Sequence, residues 1–360
     1  MKRICLFVGS MGLGGGTEHM TQVLANALVK KGNCVYVLSK KDKTENPFYD
    51  LDSNIKYDVL DNDEYLGVKS IFKDILLLNR YVKKNKIEIL INADVALALF
   101  SLPLAILSPK VKLVFWDHFN VSYDVANKRM SKYRQLALNY GDLYVTLTPQ
   151  DANDLQRLGN KHCAIKYIPN ICTYNESSEQ YKLDSKLILS AGNMLPVKGF
   201  DLAIEAAEII FKKHKDWKWE IYGDGIELET LKQKCKERGV DKYIHFPGRV
   251  KNLESAYKNA AIFVLSSKSE GFGLVLVEAQ AFHLPIVAFD VPYGPRNVIR
   301  DGINGYLVEP FNIEKMASRI NELIEDAEKR NEFAKMSTID LKRWSEQSIV
   351  DEWITVLGGI

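Results

Sequence analysis

The sequence predicts an α/β protein built as two doubly wound parallel sheets in tandem. The chain has 360 residues, about two domains at roughly 150 residues each. Its strands read as short, uninterrupted apolar runs, the pattern of a parallel sheet covered by helices on both faces. These runs alternate with helical stretches in two successive cycles, separated by a polar, patternless segment at 172–186 (CTYNESSEQYKLDSK) that reads as a linker.

The first cycle opens with a strand at 4–8, a glycine loop from Gly12 to Gly16, and a helix from Thr17 or Glu18 to Lys31. Gly32-Asn33 ends that helix before a strand at 35–38. A helix at 68–84, strands at 87–92 and 113–116, a helix around 123–140 and a strand at 143–147 follow. The second cycle starts with a strand at 186–191, a helix at 200–214 and a strand at 217–222 that ends in Gly223-Asp224-Gly225. Helices at 227–238, 253–259, 274–282 and 313–325 then alternate with strands at 244–246, 262–265 and 285–289. A last helix is expected at 340–357, carrying Trp344 and Trp353. The cleft between two such domains is the default ligand site.

Composition narrows the function classes. Hydrophobic residues at 46% and charged residues at 26% describe a globular chain and exclude disordered, collagenous and disulfide-stapled classes. The net charge of +2 gives no support to nucleic-acid binding. Residues 1–175 hold 23 Lys and Arg against 17 Asp and Glu, so the first half is mildly basic and suited to an anionic surface. Cys5, Cys34, Cys163, Cys172 and Cys235 lack metal-ligand or disulfide-framework spacing and fit a reducing cytoplasm. Lys2-Arg3 and the apolar run after them resemble a signal peptide only as far as Gly9, and no cleavage site follows. The stretch 95–107, interrupted by Ser101 and Pro103, is too short to span a bilayer.

Two loops offer chemistry. Gly12-x-Gly14-Gly15-Gly16-Thr17 lacks the third glycine of a dinucleotide fingerprint, and Ser39-Lys40-Lys41 supplies no acid after the second strand. The chain also lacks a G-x-x-x-x-G-K-[ST] loop. Gly15 and Gly16 instead promise bare backbone N–H groups at a helix start, suited to an oxyanion or a sugar hydroxyl; a plain βα turn is the alternative. The second loop joins the strand at 262–265 to a helix through Ser266-Ser267-Lys268-Ser269-Glu270-Gly271-Phe272-Gly273-Leu274. Its amides around Gly271, Phe272, Gly273 and Leu274 lie at a positive helix end that favours a diphosphate. Glu270 in the loop and Glu278 a turn into the helix can address different parts of one elongated ligand.

E-G-F-G-L-V-x-x-E-A, with seven residues between its glutamates, resembles the hallmark of family 4 retaining glycosyltransferases of the GT-B fold. Five further segments resemble that family in the same order: the loop ending in Thr17-Glu18, Gly192 with Lys198-Gly199, the turn Gly223-Asp224-Gly225, Phe246-x-Gly248, and Asp301-Gly302-x-Asn304-Gly305-Tyr306-Leu307-Val308. Pro292-Tyr293-Gly294-Pro295 is similar to members that build bacterial surface polysaccharides.

The resemblance implies two Rossmann-like domains, 1–175 on the acceptor side and 176–340 on the donor side, with 341–360 crossing back onto the first. It implies that Glu278 holds the nucleotide ribose, Glu270 the donor sugar and Lys198 the diphosphate, and that His118 orients the sugar. The family's arginine after the first glycine is Asn193 here, so Arg249 or Arg296 is a candidate replacement cation. Asp117 either fixes the His118 imidazole or caps a turn. The implied reaction moves a hexose or N-acetylhexosamine from a UDP-sugar to a surface-polysaccharide or lipid-linked glycan, without a metal. A nucleotide-sugar 2-epimerase and a non-catalytic sugar-nucleotide binder are the alternatives. The 123–140 stretch, with Lys128, Arg129, Lys132 and Arg134 among Val125, Met130 and Tyr133, suits the anionic inner face of a membrane, or is an ordinary solvated helix face.

Overall fold

The computed structural model describes residues 1–44, 46–61, 68–121, 128–158 and 162–360. The chain divides into two units, one of Met1–Ile171 with Glu346–Ile360 and one of Cys172–Ser345. Each is a doubly wound parallel sheet, the fold class the sequence predicts.

In the first unit the elements run β1 (Arg3–Val8), α1 (Gly16–Lys30), β2 (Cys34–Ser39), β3 (Lys56–Val59), α2 (Val68–Asn85) and β4 (Ile89–Asn92). They continue through α3 (Ala98–Ser101), α4 (Leu104–Leu107), β5 (Lys112–Trp116), α5 (Lys128–Tyr140), β6 (Leu143–Thr146), α6 (Pro149–Arg157) and β7 (Ala164–Tyr167). The strand order is β3-β2-β1-β4-β5-β6-β7, all parallel, so the sheet reverses direction between β1 and β4. Phe7, Leu38, Leu78, Leu90, Phe115 and Tyr144 meet in its core. The apolar stretch at 95–107 is a 3₁₀ turn followed by the short helices α3 and α4, and no described helix is long and apolar enough to cross a membrane.

The second unit contains β8 (Leu187–Ala191), α7 (Phe200–Lys213), β9 (Lys218–Tyr222), α8 (Leu228–Glu237), β10 (Ile244–Gly248), α9 (Glu254–Asn259) and β11 (Ile262–Leu265). After these come α10 (Leu274–Ala281), β12 (Ile286–Phe289), α11 (Gly294–Val298), β13 (Gly305–Val308), α12 (Ile313–Glu325) and α13 (Ala327–Met336). The order β10-β9-β8-β11-β12-β13 places the reversal between β8 and β11. At such a point the loops on the two sides diverge and leave a crevice at the carboxyl ends of the strands.

The expected helix at 340–357 is two pieces. A 3₁₀ turn, Leu341–Trp344, stops where Ser345 adopts an extended conformation, and α14 (Glu346–Gly358) begins after it. Within the first unit α14 lies against α1, with Lys30–Glu346 at 3.1 Å and Lys31–Asp351 at 2.7 Å. These exposed pairs contribute little. The anchor is apolar: Trp353 is buried and meets Trp116 edge-to-face at 5.2 Å.

Candidate active site

In the second unit the loops after β8 and β11 are laced together across the sheet reversal. Lys268 N–H donates to the Val197 carbonyl at 2.7 Å, and the Ser266 hydroxyl to the Lys198 carbonyl at 3.1 Å. Gly199 makes this approach possible. Its φ is +63°, and a Cβ there would lie 2.1 Å from the Ser266 carbonyl oxygen. The lacing delivers Lys198 Nζ to Glu270 Oε1 at 2.6 Å, and the Ser267 hydroxyl donates to the same oxygen at 2.6 Å. Gly294 presses on the other side, where a Cβ would come 2.9 Å from the Glu270 Cβ. Glu270 is thus a buried carboxylate held by a lysine and a serine.

The stretch that follows starts α10. Gly271 leads to Phe272, whose buried ring packs edge-on against Trp344 at 5.3 Å. Gly273, with φ +82°, is the cap residue, and Leu274 is the first helical residue. One turn in, Glu278 is buried and accepts the Tyr257 hydroxyl at 2.8 Å and the Thr173 hydroxyl at 3.5 Å. Burial pushes its carboxyl up to about 7, against the opposing pull of those two donors. Tyr257 is itself fixed by stacking on Phe282, with centroids 5.3 Å apart.

Asn193 follows β8, and its amide oxygen accepts from Arg249 Nη2 at 3.3 Å. Arg249 lies directly after β10, so its guanidinium reaches the position beside Asn193 from two strands away. Arg296 is engaged elsewhere, in a two-bonded pair with Asp290.

The first unit carries the remaining predicted residues. Gly15 and Gly16 lie between β1 and α1, and His118 follows β5. The glycine loop is less bare than its sequence implies. Gly15 N–H donates to Glu18 Oε2 at 2.8 Å, and Gly12 N–H to Asp42 Oδ2 at 2.9 Å. Open space remains over Gly16, where a Cβ would meet nothing within 4 Å.

His118 stacks obliquely on Trp116, with centroids 4.3 Å apart, and its Nε2 is buried with no partner among the described residues. Burial lowers its pKa to about 4, although the Asp117 charge opposes this, so the ring is neutral at physiological pH. Asp117 caps the turn rather than holding the imidazole. Its Oδ1 accepts the Phe119 N–H at 3.1 Å, while Oδ2 accepts Arg134 Nη2 and the Tyr144 hydroxyl, each at 2.6 Å. Arg134 is therefore buried and not part of a basic surface stripe. The part of that stripe at 122–127, Val125 included, lies outside the described residues.

Sequence reasoning missed Ser267, Tyr257 and Thr173, the donors that hold the two glutamates, and Arg134 with Tyr144 behind the His118 loop. Ser267 was findable three residues before Glu270. Tyr257 and Thr173 reach Glu278 from distant parts of the chain, and no local pattern marks them.

Two family models match successive parts of the chain: Glycosyltransferase Family 4 over residues 14–172 and glycosyl transferases group 1 over residues 174–338. An uncharacterized glycosyltransferase of Haemophilus influenzae is 32% identical over 359 residues, 99% of this chain and 100% of that protein. The chain belongs to the family 4, or group 1, glycosyltransferases, retaining hexosyltransferases of the GT-B fold. A poly(ribitol-phosphate) α-N-acetylglucosaminyltransferase of Staphylococcus aureus is 29% identical over 52% of this chain, which spans 38% of that larger protein. The fold is similar to that of S. aureus TarM, crystallised with fondaparinux, α-GlcNAc-glycerol and UDP. The TM-score is 0.85 at 18% identity, covering 99% of each chain.

Proposed function

We propose that this glycosyltransferase moves a hexose or N-acetylhexosamine from a UDP-sugar, with retention and without a metal, to a surface-polysaccharide or lipid-linked glycan at the inner face of the cytoplasmic membrane. The observation that carries the reading is the Lys198–Glu270 contact at 2.6 Å across the β8/β11 reversal, with Glu278 buried one turn into the next helix. The UDP in the TarM crystals and the acceptor in the S. aureus relative's name support the donor and the acceptor class.

The reaction leaves two negative charges on the departing diphosphate while the sugar becomes oxocarbenium-like. An ammonium has three donors. Lys198 can keep its bond to Glu270 while donating to the leaving phosphate, so one side chain both positions the sugar-holding carboxylate and stabilises the developing charge. The amides of Gly271, Phe272, Gly273 and Leu274 at the start of α10 add a fixed positive end. Arg249, oriented by Asn193, is the second cation. The Glu278 carboxylate, held by the Tyr257 and Thr173 hydroxyls, accepts from the paired ribose hydroxyls with its remaining lone pairs. Across the reaction, neutral His118 donates or accepts one hydrogen bond at the sugar, and Gly15 and Gly16 leave room for the substrate to approach the backbone.

The test is turnover. Incubation with UDP-glucose, UDP-galactose or UDP-N-acetylglucosamine and a lipid-linked glycan should release UDP and give an α-linked product by NMR, undiminished by EDTA. A β-linked product, a donor epimerised without acceptor, or no UDP release with any donor would contradict the reading. Lys198→Ala should lower kcat about 10²- to 10³-fold, as removal of an oxyanion donor does.

A further inference from the structure

In the first unit the sheet reverses between β1 and β4, so the crevice of that unit opens where the loops after these two strands part. The pairings Phe7↔Asn92 and Asn92↔Phe115 run along the carboxyl ends of β1, β4 and β5. The same register carried two residues further sets Asp94 level with Gly9 on one side and Asp117 on the other. Gly9 is exposed, and a Cβ there would meet nothing within 4 Å. Asp94 therefore borders open space at the reversal. His118 lies one residue beyond Asp117 on the same edge, its Nε2 buried without a partner among the described residues.

Asp94 is half-buried. Its Oδ1 accepts the Ala96 N–H at 2.7 Å and caps the 3₁₀ turn Val95–Leu97, while Oδ2 has no partner among the described residues. A cap needs one oxygen, and serine or threonine supplies it without a charge. The carboxylate is costly in this place. Burial foremost, then the charges of Asp117 and Glu18, push it up to about 6 against the pull of the Ala96 N–H and Arg134. Arg134 is itself bonded to Asp117. Among the described residues no three carboxylate, imidazole or thiol groups are placed to hold a metal ion, so a shared cation is not the missing partner.

We propose that Asp94 reads the acceptor, its Oδ2 accepting a hydrogen bond from a hydroxyl of a neutral sugar at the growing end of the glycan. The inference rests on the transferase reading above and narrows its acceptor to one without phosphate or carboxylate at that end. A hydroxyl donates to a carboxylate in a strong, charge-assisted bond. An anionic group brought to the same edge meets Glu18, Asp94 and Asp117, with Arg134 to offset only one of them. An acceptor lacking the hydroxyl is rejected as well, because it leaves Oδ2 desolvated and unpaired.

The test is binding of octyl glycosides to the full chain with UDP present, read by saturation-transfer NMR, beside their stimulation of UDP release from the donor. Octyl glucoside, galactoside or N-acetylglucosaminide should bind, and octyl glucuronide should not. Asp94→Ser keeps a cap for the Ala96 N–H but has no second oxygen. It should weaken the neutral glycoside about 10- to 100-fold, as loss of a hydrogen bond to a charged group does, and leave UDP affinity unchanged. Its melting temperature should hold or rise, since a disfavoured charge goes and the cap stays. Asp94→Asn, a second capping variant, should bring the glucoside and glucuronide affinities closer together. No binding of any neutral glycoside, glucuronide bound as tightly as glucoside, or affinities unchanged in both variants would overturn the proposal. So would a melting temperature lowered in both, which would make Asp94 a structural cap. Glycoside-stimulated UDP release undiminished in Asp94→Ser would sink this inference and leave the transferase reading intact. Asp94-dependent glycoside binding without UDP release from any donor would support the contact and contradict that reading instead.

Discussion

Glu278 sits in surroundings that resist its ionisation, while its proposed task, accepting two ribose hydroxyls, requires the carboxylate. With its carboxyl pushed up to about 7, the folded chain holds this proton more tightly than the unfolded chain, where the ordinary value is 4.5. The cost of burying the charge is therefore absent below about 4.5, grows as pH rises, and is complete above about 7. Glu278→Gln should melt higher than wild type near pH 8 and converge with it below about pH 4.5, a difference that calorimetry across pH reads directly. The sign reverses for the ligand. UDP affinity should fall as pH drops below about 7, by up to tenfold per unit, and the Gln variant should bind weakly with a flat profile. Behind His118 the arithmetic is different. Arg134→Met leaves Asp117 buried without its cation and should cost about 3–5 kcal/mol in denaturant unfolding. Tyr144→Phe removes one hydrogen bond to a charged group and should cost about 1.5–3 kcal/mol.

At the scale of elements, the site depends on two loops crossing the β8/β11 reversal and on the tight backbone approach that Gly199 permits. Gly199→Ala places a Cβ against the Ser266 carbonyl and at a positive φ, so it should destabilise the second unit by about 1–3 kcal/mol. Because it moves the Lys198 loop, kcat should fall more than UDP affinity does, which steady-state kinetics beside calorimetric binding would separate. Trp353→Ala removes the apolar anchor of α14 and should cost about 3–5 kcal/mol. The sequence disclosed these elements unevenly, for physical reasons. Central strands such as β1, β8 and β11 are buried on both faces, so their apolar runs are unmistakable. The strands it concealed are β3 (KYDV) and β7 (AIKY), the edges of the first sheet, half-buried to exposed and without such a run, and β13 (GYLV), an edge of the second sheet, buried but only four residues long and opening on glycine. The break at Ser345 was also hidden, because helical periodicity continues on both sides of one extended residue.

Across the whole molecule, two doubly wound sheets were legible because each parallel strand needs a crossover helix, and that alternation is written along the chain. Lys198 and Glu270 were legible because each stands directly before a glycine between a strand and a helix, and Glu278 because it lies one turn into the helix that follows. Partners contributed from afar, Tyr257 to Glu278, Arg249 to Asn193, and Arg134 with Tyr144 to Asp117, were not, since only folding brings them together. The central claim, a uridine-diphosphate site built on Lys198, Glu270 and Glu278, is tested most directly by nucleotide-dependent melting. UDP, GDP, ADP, CMP and NAD would each be added to the wild type and to Glu278→Ala, without metal. The account predicts stabilisation by UDP, about 2.7 kcal/mol at 100 times Kd, that is lost in the variant. Stabilisation by NAD alone, by none of the five, or by UDP equally in both proteins would contradict it.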